Sequence, residues 1–385
     1  MVKNSIKSKK TKSSNKTTKK EKDKDKEIDK MPVISPYSKV TTINSIHKET
    51  LNFCFLSKTK KYILTCSSSY LLLLDSNNFK ELSKYKMTKP PNYLVELSNN
   101  RILCANSTET FLFDVDINSQ LILVFYYLEN DFSNMGIIGV GEINNENIIV
   151  IIPGAIRYYK QSKEKNLELY DKFKFEDIIE MQYYDYGTQF KNAFIVQSNN
   201  DYIVLLTSEE IYIINHQIKI LVKTITIEKS RVLLKYLNLT NEYTMIYHSQ
   251  KLLLFSNKNL EIINNYLLSN KKEEIVCIQK LFDNNLLAFG TNLGKIYIYN
   301  FLETTIIREI LFNDQIFKIY WIRELKNSLI VNNIPSNKIS ITNYNTGNNI
   351  CELTLKKSSN YRRGVYIKET NKLLLGCANC FAILE

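Results

Sequence analysis

From about residue 38 to residue 385 the chain is built of short apolar runs broken by small or polar residues. The clearest case is Asn285–Asn300, NLLAFGTNLGKIYIYN. Leu286, Leu287 and Ala288 open an apolar run that ends in the small, turn-prone Gly290, Thr291 and Asn292. Gly294 closes a turn, and Ile296, Ile298 and Tyr299 carry a second run to Asn300. Runs of this length, rich in β-branched and aromatic residues and bounded by turn formers, predict a β-hairpin.

The template recurs. Eight such hairpins end at Asp75, Asp114, Lys160, Asn215, Ser256, Asn300, Asn343 and Glu385, at spacings of 39, 46, 55, 41, 44, 43 and 42 residues. A further apolar strand precedes most of the hairpins, and another follows each of the first seven. The unit is therefore four strands, a to d. A β-rich unit repeating at forty-odd residues is the signature of propeller blades. The eighth unit stops after strand c at Glu385, while Lys39–Ser45 (KVTTINS) is a spare strand at the start of the repeat region. The expected fold is all-β: a single β-propeller of four-stranded blades, eight favoured and seven the alternative, closed by the N-terminal strand. Closure would leave no open sheet edge at the end of the ring. The 55-residue spacing includes an additional segment, Asp177–Gln189, read as an insertion or as a sign that the units divide differently.

Composition sharpens this picture in three places. The chain has 25 Tyr and 18 Phe but only 10 Gly and 6 Pro, so its turns must be made largely by Asn, Ser, Asp and Lys. Residues 1–31 hold 12 Lys against 5 Asp or Glu and almost nothing apolar. They are expected to be a disordered leader, outside a propeller of residues 38–385. Much of the net charge of +12 sits in that leader, so the basic balance is poor evidence that the folded body binds nucleic acid. The leader itself is read as a solvated tail, with nuclear import or contact with nucleic acid or an anionic surface as the functional alternatives.

Seven Cys, an odd number mostly inside apolar runs, read as buried thiols of a reducing compartment. With no apolar signal region and no transmembrane-length apolar window, a cytoplasmic or nuclear location is expected.

Candidate chemistry is thin. Cys377 and Cys380 form a lone C-x-x-C without a second pair, and His47, His216 and His248 lack ligand spacing, so no metal or cofactor is expected. Gly136, Gly139 and Gly141 are out of order for a dinucleotide fingerprint and read as strand a of the third unit, with glycine where backbones approach closely. Trp321 is read as core near the channel. Nothing in the spacing proposes a catalytic triad. The basic residues Lys356, Lys357, Arg362 and Arg363, with Lys271 and Lys272 in an earlier d–a connection, are the candidate binding residues, since guanidinium and ammonium groups suit anionic partners.

The units resemble degenerate WD repeats over about residues 38–385. The family's Trp-Asp dipeptide would close strand c, where this chain has Leu74-Asp75, Phe113-Asp114, Tyr159-Lys160, Ile214-Asn215, Phe255-Ser256, Tyr299-Asn300, Thr342-Asn343 and Leu384-Glu385. No Gly-His dipeptide is present, so the resemblance does not extend to the family's His–Asp–Ser/Thr network. It implies a rigid, non-catalytic scaffold that presents loops to partner proteins in a larger complex. Tyr361-Arg362-Arg363-Gly364 also looks like the aromatic-Arg-Arg-Gly motif of phosphoinositide-binding propellers of autophagy. That likeness implies the alternative, an adaptor for anionic membranes. A propeller enzyme is the third reading.

Overall fold

The computed structural model describes residues 40–44 and 53–385, apart from 68–69, 92, 107–108, 129–136, 145–146, 153–154, 162–166, 175–191, 197–200, 229–233, 282–284, 313–314, 322–326, 335–337, 355–362, 368–369, 371 and 377–379. The additional segment at 177–189 falls outside these.

Strand β1 (Val40–Asn44) comes first and is set apart. Blade 1 is β2 (Phe53–Leu56), β3 (Tyr62–Cys66), β4 (Tyr70–Asp75) and β5 (Glu81–Lys86). Blade 2 is β6 (Tyr93–Glu96), β7 (Ile102–Ala105), β8 (Glu109–Val115) and β9 (Leu121–Leu128). Blade 3 is β10 (Gly139–Asn144), β11 (Asn147–Ile152), β12 (Ala155–Gln161) and β13 (Leu167–Lys174). Blade 4 is β14 (Asn192–Ile195), β15 (Tyr202–Leu206), β16 (Glu210–Asn215) and β17 (Ile220–Thr226). Blade 5 is β18 (Lys235–Asn238), β19 (Tyr243–His248), β20 (Lys251–Ser256) and β21 (Glu261–Leu267). Blade 6 is β22 (Ile275–Lys280), β23 (Leu286–Thr291), β24 (Lys295–Asn300) and β25 (Thr305–Leu311). Blade 7 is β26 (Gln315–Trp321), β27 (Ser328–Ile334), β28 (Lys338–Asn343) and β29 (Asn349–Thr354). Blade 8 is β30 (Arg363–Ile367), β31 (Lys372–Gly376) and β32 (Cys380–Leu384), completed by β1.

The sheets are eight, each of four antiparallel strands, which excludes the seven-bladed alternative. Closure is as the spare strand predicts: β1 runs antiparallel to β32, with Val40 opposite Leu384 and Asn44 opposite Cys380.

Packing explains why strands b and c read as unbroken apolar runs. Each blade is buried on both faces, so both sets of alternating side chains are apolar. Each of the apolar clusters lies in the seam between two successive blades. A last cluster joins Ile63, Leu72 and Leu74 of blade 1 to Leu374, Phe381 and Ile383 of blade 8 and completes the ring. Outer strand d faces solvent and alternates instead, as in β21, where Ile263, Asn265 and Leu267 are exposed.

Two glycines mark close approaches between blades. In β10 a Cβ on Gly141 would lie 2.4 Å from Ile195 Cδ1 of blade 4. Gly290, which the sequence suggested as part of a turn, belongs instead to β23. A Cβ there would lie 2.4 Å from Ile316 Cγ2 and 2.9 Å from Cys277 Sγ, in the seam with blade 7. The turn itself falls to Gly294, at φ +79°.

The polar residue that ends strand c caps the following turn. Asp75, Asn215, Asn300 and Asn343 each accept two backbone N–H bonds from the next three residues, as in Leu302 and Glu303 to Asn300 Oδ1 at 3.1 and 3.2 Å. Asp114, the second Asp at this position, instead accepts Arg101 Nε at 2.7 Å. A left-handed residue follows each cap: Phe79, Lys219, Thr304 and Gly347. In a glycine-poor chain most of these positions carry side chains that the left-handed region disfavours.

Two predictions follow from these positions. Gly290→Ala overfills the seam between blades 6 and 7 and is expected to cost about 1–3 kcal/mol, read as a lower denaturation midpoint at unchanged slope. At one c–d turn, substitutions should act in opposite directions. Asn300→Ala is expected to cost about 1 kcal/mol through its lost cap. Thr304→Gly is expected to gain about 0.5 kcal/mol, because Thr at φ 56° is strained and glycine is not.

Candidate functional site

Because the strands alternate in direction, the b–c turns and d–a connections of all blades emerge at one end of the ring. On that face, between blades 5 and 6, lies a cavity of about 370 Å³. Its walls are Lys235 at the start of β18, Tyr247 and His248 at the end of β19, Ser249 in the turn, Glu274 just before β22, and Ile275 and Val276 at the start of β22. The two walls are tied at the base, where Ile275 N–H donates to the Ser249 carbonyl at 2.5 Å. Below it the seam between blades 5 and 6 is filled by Met245, Leu254, Leu287, Phe289 and their neighbours.

The connection from β21 to β22 is held at several points. Gln250 Nε2 donates to the Lys271 carbonyl at 2.5 Å, and Asn270 Oδ1 accepts Lys272 N–H at 3.0 Å. Asn292 grips both sides: its Nδ2 donates to the Lys272 carbonyl at 3.2 Å and its Oδ1 accepts Glu274 N–H at 2.8 Å. Between them Glu273 turns inward and is only 2% exposed. A buried carboxylate is costly unless hydrogen-bonded. Here Thr291 Oγ1 donates to it at 2.9 Å and Tyr297 OH at 3.2 Å. A connection, strand b and strand c are thus joined inside one blade by Glu, Thr and Tyr. Blade 2 has a related device: Glu109 accepts from Thr88 Oγ1, from Asn106 Nδ2 at 2.6 Å and from Tyr126 OH at 3.0 Å. Burial opposes ionisation of Glu109, but these bonds win and hold its carboxyl below the ordinary carboxylate value.

Electrostatics of the cavity favour positive charge at its rim. Burial, then Lys251, push His248 below the usual imidazole value against the pull of Glu228, so the ring is neutral at neutral pH. Lys251 itself pairs with Glu228 at 3.5 Å. Lys235, Lys271, Lys272 and Glu274 are all exposed.

Of the residues singled out by sequence, Lys271 and Lys272 lie in the connection that forms one wall's approach. Lys356, Lys357 and Arg362 fall outside the described residues. Arg363 and Gly364 are not in a loop: they open β30, opposite Gly376 and Leu375. The Arg363 side chain is outside the description, as is that of Trp321 at the end of β26. Cys377 is outside it too, and Cys380 opens β32. Cys66, Cys104 and Cys277 are buried thiols, and burial drives the Cys66 thiol pKa up. Among the described residues no group of three or more His, Cys, Asp or Glu could hold a metal, and no helix is long and apolar enough to cross a membrane. Sequence reasoning missed Glu273, Thr291, Tyr297, His248 and Ser249. The available signal was a carboxylate two residues before strand a in a unit whose strand b ends in Thr.

Burial, with the negative field of Glu273 adding to it against the bond from Lys295, pushes Tyr297 up to about 12. Burial, aided by Tyr266, takes Tyr299 to about 12 as well. An unfolded Tyr ionises near 10. The folded state therefore holds protons that the unfolded state loses, and stability falls as pH rises from about 10 to about 12. Thermal midpoints measured across this range should drop, and more gently in a Tyr297→Phe/Tyr299→Phe variant than in wild type.

No family model matches the chain, and no curated protein matches it in sequence. In shape it is similar to solved structures. The crystal structure of Saccharomyces cerevisiae Sqt1 covers 89% of this chain and 97% of its own, with a TM-score of 0.68 and 13% identity. Chaetomium thermophilum Sqt1 covers 88% and 96%, with a TM-score of 0.66 and 9% identity. For the β-propeller domain of Myceliophteria thermophila Cps50 (Swd1) the values are 78% and 97%, with a TM-score of 0.56 and 11% identity. At such identities the likeness is one of fold: the chain is an eight-bladed β-propeller similar in architecture to these proteins.

Proposed function

We propose that the chain is a non-catalytic interaction platform whose b–c/d–a face receives a segment of a partner protein between blades 5 and 6. The observation that carries this reading is the cavity of about 370 Å³ at that seam. Its size suits one or two inserted side chains, and pockets of a few hundred cubic ångströms with an apolar lining and few polar groups are typical binding sites. Tyr247, Ile275 and Val276 supply the apolar contact, and Lys235, His248, Ser249 and Glu274 the polar contacts. In this reading residues 38–385 are the platform and residues 1–31 a solvated leader. The buried thiols suit a reducing compartment, cytoplasmic or nuclear. Lys356, Lys357 and Arg362, which the sequence assigns to another d–a connection, and Arg363 at the start of β30 would in this reading extend the same face.

The test is affinity capture from native lysate with the full chain. Val276→Arg, which puts a charge on the apolar wall, should lose a partner that wild type retains. Asn77→Arg, in a c–d turn on the opposite face, should keep it. Equal capture by all three folded proteins would remove the groove from the argument.

A further inference from the structure

We infer that the occupant of the groove is an acidic linear segment of a partner protein with an apolar anchor residue, and that the chain's own Lys-rich leader is excluded from it. This rests on the groove being the partner site. Charge complementarity selects the occupant. Lys235, Lys271 and Lys272 are exposed at or beside the groove, and none has an ion-pair partner among the described residues. Other lysines are paired, as half-buried Lys295 is with Glu309 at 2.7 Å and Lys338 with Glu352 at 3.0 Å, so what distinguishes the groove is the clustering of its three lysines and not their being unpaired. Opposing the three are Glu274 in the lining and the buried Glu273 beside it, whose charge is turned inward to Thr291 and Tyr297, while Lys251 and Glu228 cancel and His248 is neutral. The leader, with 12 Lys and 5 Asp or Glu, has the wrong sign.

Two further features favour a peptide over a flat anionic surface. The site is concave, and half-buried Tyr247 and Val276, over buried Ile275, line it with apolar surface. The backbone that carries the Lys pair is already fixed, by Gln250, Asn270 and Asn292 around it and by buried Glu273 next to it. A preorganised loop loses little entropy when a ligand binds. The lysine ammonium groups can then meet carboxylates on either side of the anchor, with the strength of steering set by ionic strength.

The experiment is fluorescence anisotropy on the full chain with labelled synthetic peptides. One alternates Glu and Asp around a central Leu-Phe pair, a second replaces the acids by Lys, and a third keeps the acids and replaces Leu-Phe by Ser. Vesicles of phosphatidylcholine and phosphatidylserine are tested by flotation alongside. The first peptide should bind, more weakly as salt rises. Lys271→Glu/Lys272→Glu, both on exposed sites, should weaken it roughly tenfold or more. The other two peptides should bind much more weakly. Equal affinity for the acidic and basic peptides, or an unchanged affinity in the Lys-pair variant, overturns the inference. So does Lys-dependent vesicle flotation without peptide binding, which would assign the patch to a membrane. If Val276→Arg loses a captured partner that the Lys-pair variant keeps, the groove remains a partner site and only its acidic specificity fails.

Discussion

The structure depends on one constraint: no blade can bury its faces alone. Each sheet has two apolar faces and needs a neighbour on both sides, so the row of sheets must close on itself. The last seam shows the magnitude. Ile63, Leu72, Leu74, Leu374, Phe381 and Ile383 are all buried there. At about 1.5–3 kcal/mol for each side chain fully removed from water, opening that seam would forgo roughly 10 kcal/mol or more. That equals the whole net stability of a typical domain. The pairing of β1 with β32 gives blade 8 its outer strand, within the blade that forms this seam.

Close packing of blade on blade also decides where small residues must stand. Gly141 and Gly290 are required by space rather than by backbone conformation, since each faces an isoleucine of the next blade within 2.4 Å of where a Cβ would be. Meanwhile the turns, where glycine would relieve strain, carry Phe79, Lys219, Leu260 and Thr304 at positive φ. Among the described residues only Gly294 and Gly347 are glycines at positive φ. The chain holds the turns instead with side-chain caps and with the anchoring of both flanking strands in the seams.

Much of the fold was legible in the sequence for this reason. A repeated length and an unbroken apolar run in b and c reflect a packing requirement that every blade shares, and in four blades the polar residue closing strand c caps the turn after it. The spare strand Lys39–Ser45 was legible because it answered a missing one. Gly290 was misplaced because its requirement comes from Ile316, which local pattern cannot show. The groove was illegible for the same reason. It is made by Lys235, Tyr247–Ser249 and Glu274–Val276, three stretches whose proximity exists only once blades 5 and 6 are packed. Lys271 and Lys272 were visible as a charge pair, but not the fixed backbone beneath them.

That fixed backbone links the groove to the seam. Glu273 is buried through bonds to Thr291 and Tyr297, on the second and third strands of blade 6. Tyr297 in turn stacks on Phe289 at 4.9 Å between ring centres, within the cluster shared with blade 5. The loop that displays the Lys pair is thus held by the same packing that holds the two blades together. A ligand spanning Lys235 of blade 5 and the β21–β22 connection would touch both sides of that seam. Any ligand that binds only the folded state stabilises it in proportion to its occupancy. A ligand bound at blades 5 and 6 would therefore stabilise the folded seam it spans.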